Sequence, residues 1–202
     1  MATMPYDERL ERLLSIAARV FADQGYHATT MRDLSRATGM SLAGMYYYVQ
    51  GKDELLFLIQ ERCFQQVLTG ANTALAEAAT PAERVTRFIE HHVGFFTSHM
   101  SEMKVLSHEA RSLTGPRLDK INRLKRRYVD LLAGLVAELD AGGEPRRDPR
   151  VAAYALFGMM NWIYTWYDPK GPVSPETLAE HFAQLFLTGA TGSPSAVAQG
   201  GV

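Results

Sequence analysis

Few side chains in this sequence are spaced for bond-making chemistry. Asp, Glu and His are scattered without a pairing suited to general acid–base work. His91 and His92 are adjacent, and adjacent residues on a helix point apart, so they make no paired metal site. One cysteine, Cys63, excludes a disulfide framework within the chain and leaves no Cys-based metal set. There is no Gly-rich phosphate loop and no nucleophile elbow. The reading is of a protein that is no enzyme, with no cofactor and no metal. Recognition is a different matter. The run Ser41-Leu42-Ala43-Gly44-Met45-Tyr46-Tyr47-Tyr48-Val49 sets hydroxyls, small residues and tyrosines at helical spacing after a Gly turn.

That run reads as the second helix of a helix-turn-helix, which in such units lies in the DNA major groove. Met45 and Val49 are four apart and share a face, expected to pack on Leu34 and Phe21. The opposite face offers Ser41, Leu42, Ala43, Gly44, Tyr47 and Tyr48. Ala43 and Gly44 are small enough to bring backbone close to bases. Ser41 can hydrogen-bond a base edge or a phosphate, and Leu42 can meet a thymine methyl. Tyrosine hydroxyls, Tyr46 among them, suit phosphate oxygens. From Gly25 to Lys52 the charges are Arg32, Arg36 and Lys52 against Asp33 alone, a local basic excess in a chain of net charge −1. Paired short helices also occur as plain packing units, and the three tyrosines could be packing residues; spacing alone leaves both readings open.

The elements that must position this unit are all helical. No stretch alternates with period 2, so the fold class is all-α, with about nine helices near 6–24, 30–37, 41–49, 52–79, 81–98, 101–114, 116–141, 148–167 and 174–188. Gly25 closes the first helix. Thr30 with Asp33 resembles a capping box, Thr80-Pro81-Ala82-Glu83 combines a capping box with proline at the first helical position, and Asp148-Pro149 and Ser174-Pro175 repeat the cap-then-proline signal. With 202 residues, 47% hydrophobic, the chain can bury a core without staples. Met1 to Arg9 holds no apolar stretch of the signal-peptide kind, and Val151–Tyr167 is too short and too polar to span a membrane. The expectation is a cytoplasmic protein. Domains are expected at 1–51 and 52–190, and 191–202, rich in Gly, Ala and Ser, reads as a disordered tail.

Longer runs carry a resemblance. Phe21-Ala22-Asp23-Gln24-Gly25-Tyr26, Ala28-Thr29-Thr30-Met31-Arg32-Asp33-Leu34, Gly39-Met40-Ser41, Met45-Tyr46-Tyr47-Tyr48 and Lys52-Asp53-Glu54-Leu55-Leu56 resemble, in register, the N-terminal domain of TetR-family repressors. Met45, Tyr48 and Val49 depart from the usual Leu, His and Phe, a difference that bears on the preferred DNA sequence. The resemblance implies a three-helix DNA-binding domain followed by a larger helical domain for dimerisation and effector binding. It implies phosphate contacts from Thr30, Tyr46, Tyr48 and Lys52, and groove contacts from Ser41, Leu42, Ala43 and Tyr47.

The rest of the chain suits that division. Val151–Tyr167 is apolar on most faces, which a monomer of this size struggles to bury. With the last helix it is expected to form a homodimer interface through Tyr154, Phe157, Leu178, Phe182, Leu185 and Phe186; the other reading is a central core helix. Phe88, His92, Phe95, Phe96, Met103, Leu106, Glu109, Leu113, Trp162 and Trp166 are candidates to line a hydrophobic ligand pocket, although aromatic residues at helical spacing also make ordinary cores. Asn161 to Glu176 and His108-Glu109-Ala110-Arg111-Ser112-Leu113 are similar to a TetR subgroup that includes acyl-CoA-responsive repressors of fatty-acid and steroid-ring degradation. The resemblance therefore implies an operator duplex and a small hydrophobic effector, acyl-CoA among the candidates, as partners. Arg117, Lys120, Arg123, Lys125, Arg126 and Arg127 could meet CoA phosphates or form a solvated face. The rival readings are a small α-helical enzyme or a dimeric scaffold that does not bind DNA.

Overall fold

A computed structural model describes residues 5–109, 111–141 and 148–191. Of the expected tail at 191–202, Thr191 is the last residue of the final helix and 192–202 lie outside the described residues, as does Ala110 within the motif at the end of the sixth helix. Among the described residues there are nine α-helices, one 3-10 turn and no strand. The helices are α1 (Tyr6–Gln24), α2 (Met31–Thr38), α3 (Leu42–Tyr46), α4 (Lys52–Leu75), α5 (Pro81–Ser98), α6 (Met100–His108), α7 (Gly115–Leu139), α8 (Pro149–Asn161) and α9 (Pro175–Thr191).

Local chemistry sets most boundaries. Leu13, Leu14, Ala17, Ala18 and Phe21 recur at helical spacing and bury one face of α1. Gly25 follows at φ 84°, a conformation that costs a residue without Cβ little. The N-terminus of α5 is a full capping box: Glu83 N–H donates to Thr80 Oγ1 (3.2 Å), and Thr80 N–H donates back to Glu83 Oε2 (3.0 Å). Asp148 caps α8 by accepting from the amides of Arg150 (2.8 Å) and Val151 (3.0 Å), with Pro149 in the first turn.

Four expected helices end early in the structure, the fourth at Leu75 in place of 79. The third stops at Tyr46; Tyr48 N–H then bonds Met45 O in an i→i+3 turn (2.9 Å), where crowded aromatic residues meet β-branched Val49. The sixth stops at His108. The eighth stops at Asn161 and tightens into a 3-10 turn, Trp162–Thr165, in which Thr165 Oγ1 donates to Trp162 O (2.7 Å). Asp168-Pro169 follows, and the residue before proline disfavours helix.

The chain folds as two units. Of the described residues, those from 5 to 70 pack with those between 98 and 130, and those from 71 to 97 pack with those from 131 onward. The first unit thus takes more of the chain than the expected 1–51 domain, because α1 packs on α6, far away in sequence. Its core includes Leu34, Met45, Leu55, Leu56 and Ile121, all fully buried; the second unit buries Phe88, Ile89, Phe96 and Leu156 equally deeply.

Candidate nucleic-acid interface and effector region

In the first unit, the reading head is built from short helices closed by reciprocal side-chain bonds. Thr30 caps α2: Asp33 N–H donates to Thr30 Oγ1 (3.2 Å), while Thr30 N–H (2.9 Å) and Oγ1–H (2.6 Å) donate to Asp33 Oδ2. These bonds, with the neighbouring Arg36 guanidinium, hold the Asp33 carboxyl down at about 2. Gly39 turns the chain at φ 69°, and Ser35 Oγ–H steadies that turn on Met40 O (2.6 Å). Ser41 then caps α3 by accepting from Gly44 N–H (3.0 Å), which leaves its own O–H to donate outward. A Cβ on Gly44 would stand 3.1 Å from Ser41 Oγ, so the glycine also protects this cap.

The expected faces of α3 are where the sequence puts them. Met45, Val49, Leu34 and Phe21 are buried together in this unit's core. Ser41, Ala43, Tyr46 and Tyr47 are exposed, Tyr47 at 73%, and Leu42, Gly44 and Tyr48 are half-buried. Arg32 is exposed on α2. Sequence reasoning missed Tyr6. At the first residue of α1, its ring stacks on Tyr48 with centroids 4.8 Å apart and meets the edge of Tyr47 at 6.0 Å. An exposed aromatic at a helix start was the available signal.

Lys52, expected as a phosphate contact, is set against the chain's own backbone. Its ammonium donates to three backbone carbonyls, those of Tyr26 (2.8 Å), Thr29 (2.9 Å) and His27 (3.3 Å), and lies 4.5 Å from the Tyr26 ring centroid. Beside it Tyr26 O–H donates to Asp53, and burial together with that bond pushes the Tyr26 phenol well above its ordinary range. The same connecting segment meets the end of α6. Glu109 lies 3.7 Å from His27, and Ser112 Oγ–H donates to Glu109 (2.5 Å) and sits 3.3 Å from His27 Nε2. Glu109, expected as a pocket residue, therefore faces the reading head.

The other expected pocket residues divide between the units. Leu106 and Leu113 are buried in the first, and Met103 Sδ lies 3.7 Å from Cys63 Sγ. In the second unit Phe88, His92 and Phe96 are buried around Phe157: the His92 ring lies 5.5 Å from Phe157 and 5.9 Å from Phe96. Burial, then the neighbouring His91, lowers His92 to about 3, against a hydrogen bond to Asn161 that raises it. Phe95 is half-buried. Trp162 and Trp166 stand outward, 60% and 55% exposed. Among the expected dimer residues, Phe157, Leu178 and Phe182 are buried in the chain's own core, Phe186 is half-buried, and Tyr154 and Leu185 are exposed.

On the basic helix α7, Arg117 and Lys120 lie over the Phe57 ring and Lys120 pairs with Glu61. Lys125 lies over Phe64, and burial lowers its pKa. Arg123, Arg126 and Arg127 are exposed at i, i+3, i+4 spacing.

Two short helices with a glycine turn, a capped second helix bearing outward hydroxyls, and a helical body define a helix-turn-helix regulator of transcription. The chain belongs to the TetR family: residues 13–59 match the bacterial regulatory proteins of the tetR family, and residues 78–190 match the tetracyclin repressor-like C-terminal domain. It is 26% identical over 189 residues to the HTH-type transcriptional repressor KstR2 of Mycolicibacterium smegmatis, covering 92% of each chain. It is 31% identical over 188 residues to the HTH-type transcriptional regulator BetI of Rhizobium meliloti, covering 89% of each. Among solved structures it is similar to AibR in complex with isovaleryl coenzyme A and operator DNA, at 31% identity and TM-score 0.79, covering 88% of this chain and 97% of that one. These relatives are regulators, not enzymes. Among the described residues no helix is long and apolar enough to cross a membrane.

Proposed function

We propose that the protein is a homodimeric, effector-responsive repressor, seated on a palindromic operator in the cytoplasm and released by a hydrophobic small molecule, an acyl-CoA thioester. The observation that carries the effector is the similarity to AibR over nearly its whole length, since that protein binds a short acyl-CoA together with operator DNA. In this reading Ser41, Leu42, Ala43, Gly44 and Tyr47 meet the groove, and Thr30, Arg32, Tyr46 and Tyr48 meet phosphates. Half-sites stand one helical turn or a multiple apart, as a two-fold dimer requires.

The dimer reading rests on α8. Val151, Tyr154, Ala155, Gly158, Met159 and Trp162 are all exposed and follow i, i+3, i+4 spacing, so one whole face of the helix is apolar and open. Exposed Leu185 adds to it from α9, which packs on α8. A second copy would cover this surface.

The effector divides by chemistry. Its acyl chain goes to the apolar aromatic cluster of Phe88, His92, Phe95 and Phe96, gaining about 0.8 kcal/mol per buried CH₂. Its phosphates call for arginine or lysine, which pair with phosphate oxygens by charge-assisted hydrogen bonds. A typical coupling of about 1–3 kcal/mol between effector and DNA would weaken operator affinity roughly 5- to 150-fold. The test is a gel-shift titration on a duplex from the protein's own promoter region. Isovaleryl-CoA should release the protein at concentrations where isovalerate does not. Release by the free acid alone overturns the CoA reading, and no binding of any duplex by the wild type overturns the regulator reading.

A further inference from the structure

We infer that Lys52 is a positioning residue of the reading head, which locks the α1–α2 connection by gathering three backbone carbonyls, and is not a phosphate contact. The inference rests on the regulator reading above for its DNA arm alone.

The geometry carries it. An ammonium has three N–H donors and no acceptor. In Lys52 the carbonyls of Tyr26, His27 and Thr29 lie at 2.8, 3.3 and 2.9 Å, so there are as many acceptors as donors. The Tyr26 ring adds a fourth contact, 4.5 Å from Nζ. Reaching a phosphate would mean giving up these bonds. Two of the three carbonyls belong to residues that are almost wholly buried, Tyr26 at 3% and Thr29 at 1% exposed, which have little water to take the lysine's place.

The segment being held needs such a clamp. It leaves α1 through Gly25 at φ 84° and reaches the Thr30 cap within five residues. Within it Thr29 folds back on Gly25 O through both its N–H (3.2 Å) and Oγ1–H (2.8 Å). That turn leaves the following carbonyls facing the start of α4. Lys52 is the first residue of α4, and the next, Asp53, accepts from the Tyr26 hydroxyl. The first turn of α4 thus grips the connection through two side chains of opposite charge. Whatever orients α4 also orients α2 and, through it, the recognition helix.

The experiment compares Lys52→Met and Lys52→Arg with wild type in the full-length protein. The first measurement is affinity for a duplex from the protein's own promoter region across a salt series; the second is amide hydrogen exchange over Met31–Thr38 without DNA. A lost phosphate contact lowers the slope of log affinity against log salt by about 0.9. A positioning role predicts that Lys52→Met weakens binding tenfold or more at every salt concentration with the slope kept, and speeds exchange in α2. It also predicts that Lys52→Arg fails to rescue, because a planar guanidinium cannot converge on three carbonyls as an ammonium does. Arg32→Gln, at an exposed arginine, supplies the comparison in which the slope should fall. Wild-type exchange in Lys52→Met, with a slope lowered by about 0.9 and full rescue by arginine, overturns the proposal. If no duplex binds even the wild type, the regulator reading fails and the exchange measurement alone judges the clamp.

Discussion

The reading head and the aromatic region of the second unit are held together by opposite means. In the head, α2 and α3 have eight and five residues, too few to be stable alone, and each is closed by a side chain bonding its own first turn. Thr30 and Asp33, Ser41 and Gly44, and Lys52 with three carbonyls are directional bonds at the surface or half-buried. In the second unit, Phe88, His92, Phe96 and Phe157 are apolar rings packed in the interior, with one histidine kept neutral among them. A head that must present fixed hydroxyls to a groove needs orientation, which hydrogen bonds give. A region proposed to accept a hydrophobic effector needs apolar contacts, which carry no fixed direction and can be repacked.

The contrast breaks first in the aromatic region, where the largest effects are expected. Phe88→Ala removes a fully buried ring and should cost about 3–5 kcal/mol in chemical denaturation. Phe182→Glu would bury a charge in the chain's own core, so it should lower the melting temperature and yield little folded protein. Tyr154→Glu and Leu185→Glu change exposed residues instead. They should leave the fold intact and give monomers in sedimentation, where the wild type is expected to run as a dimer. Dimers from the Tyr154→Glu, Leu185→Glu double variant would move the interface away from α8 and α9.

His92 sharpens the same comparison through pH. Its folded pKa is about 3, below the ordinary histidine range near 6.5, so between these values the unfolded chain binds the extra proton. Stability is therefore full above about pH 6.5 and falls as pH drops toward 3, by up to about 1.4 kcal/mol per unit for this group. His92→Gln should be less stable than wild type at pH 7 and should lose the part of the acid sensitivity that begins near pH 6.5. Urea midpoints at pH 7.5, 6 and 5 measure both; parallel pH curves for the two proteins would show that another group titrates.

These regions also differ in how far the sequence revealed them. Caps are local: Thr30 with Asp33, Thr80 with Glu83 and Asp148 with Pro149 lie within three residues of one another, and the structure has each as read. The buried face of α3 was legible for the same reason, since Met45 and Val49 declare it by spacing. What the sequence hid depends on distant chain. Lys52 stood out as a basic residue beside a reading head, but its carbonyls lie 23 to 26 positions earlier. Glu109 read as a polar group for a pocket, and its neighbour His27 is in another helix connection. The end of α8 was missed because apolar periodicity continues past Asn161 while the backbone tightens into a 3-10 turn, a change that spacing does not record.

Within the head, the cap bonds should give middle-sized effects. Ser41→Ala removes the acceptor for Gly44 N–H and should cost about 0.5–2 kcal/mol of helix stability. It should also change sequence preference if the free hydroxyl proton reaches a base edge. Because serine carries no charge, the salt slope should not move. Binding selections on randomised duplexes read the preference, and an unchanged selected sequence would reduce Ser41 to a cap.

The smallest effect should come from Tyr6, and it decides how far the reading surface extends. Its ring stacks on Tyr48 at 4.8 Å with planes 29° apart and meets Tyr47 nearly edge-on at 74°. Tyr47 and Tyr48 in turn meet edge to face at 5.1 Å, so three rings brace one another at the junction of α1 and α3. Such aromatic pairs contribute about 0.5–1.5 kcal/mol beyond burial. All three rings keep some exposure, so the loss should show in ring order more than in melting temperature. Tyr6→Ala should weaken DNA binding by roughly two- to tenfold, in keeping with the loss of one such pair, and leave the salt slope alone because no charge is lost. Tyr6→Phe keeps the stack and should bind nearly as wild type if the ring alone matters. A loss as large in Tyr6→Phe as in Tyr6→Ala would instead make the hydroxyl a phosphate contact. Wild-type binding by Tyr6→Ala would end the surface at α3 and leave α1 a purely structural helix.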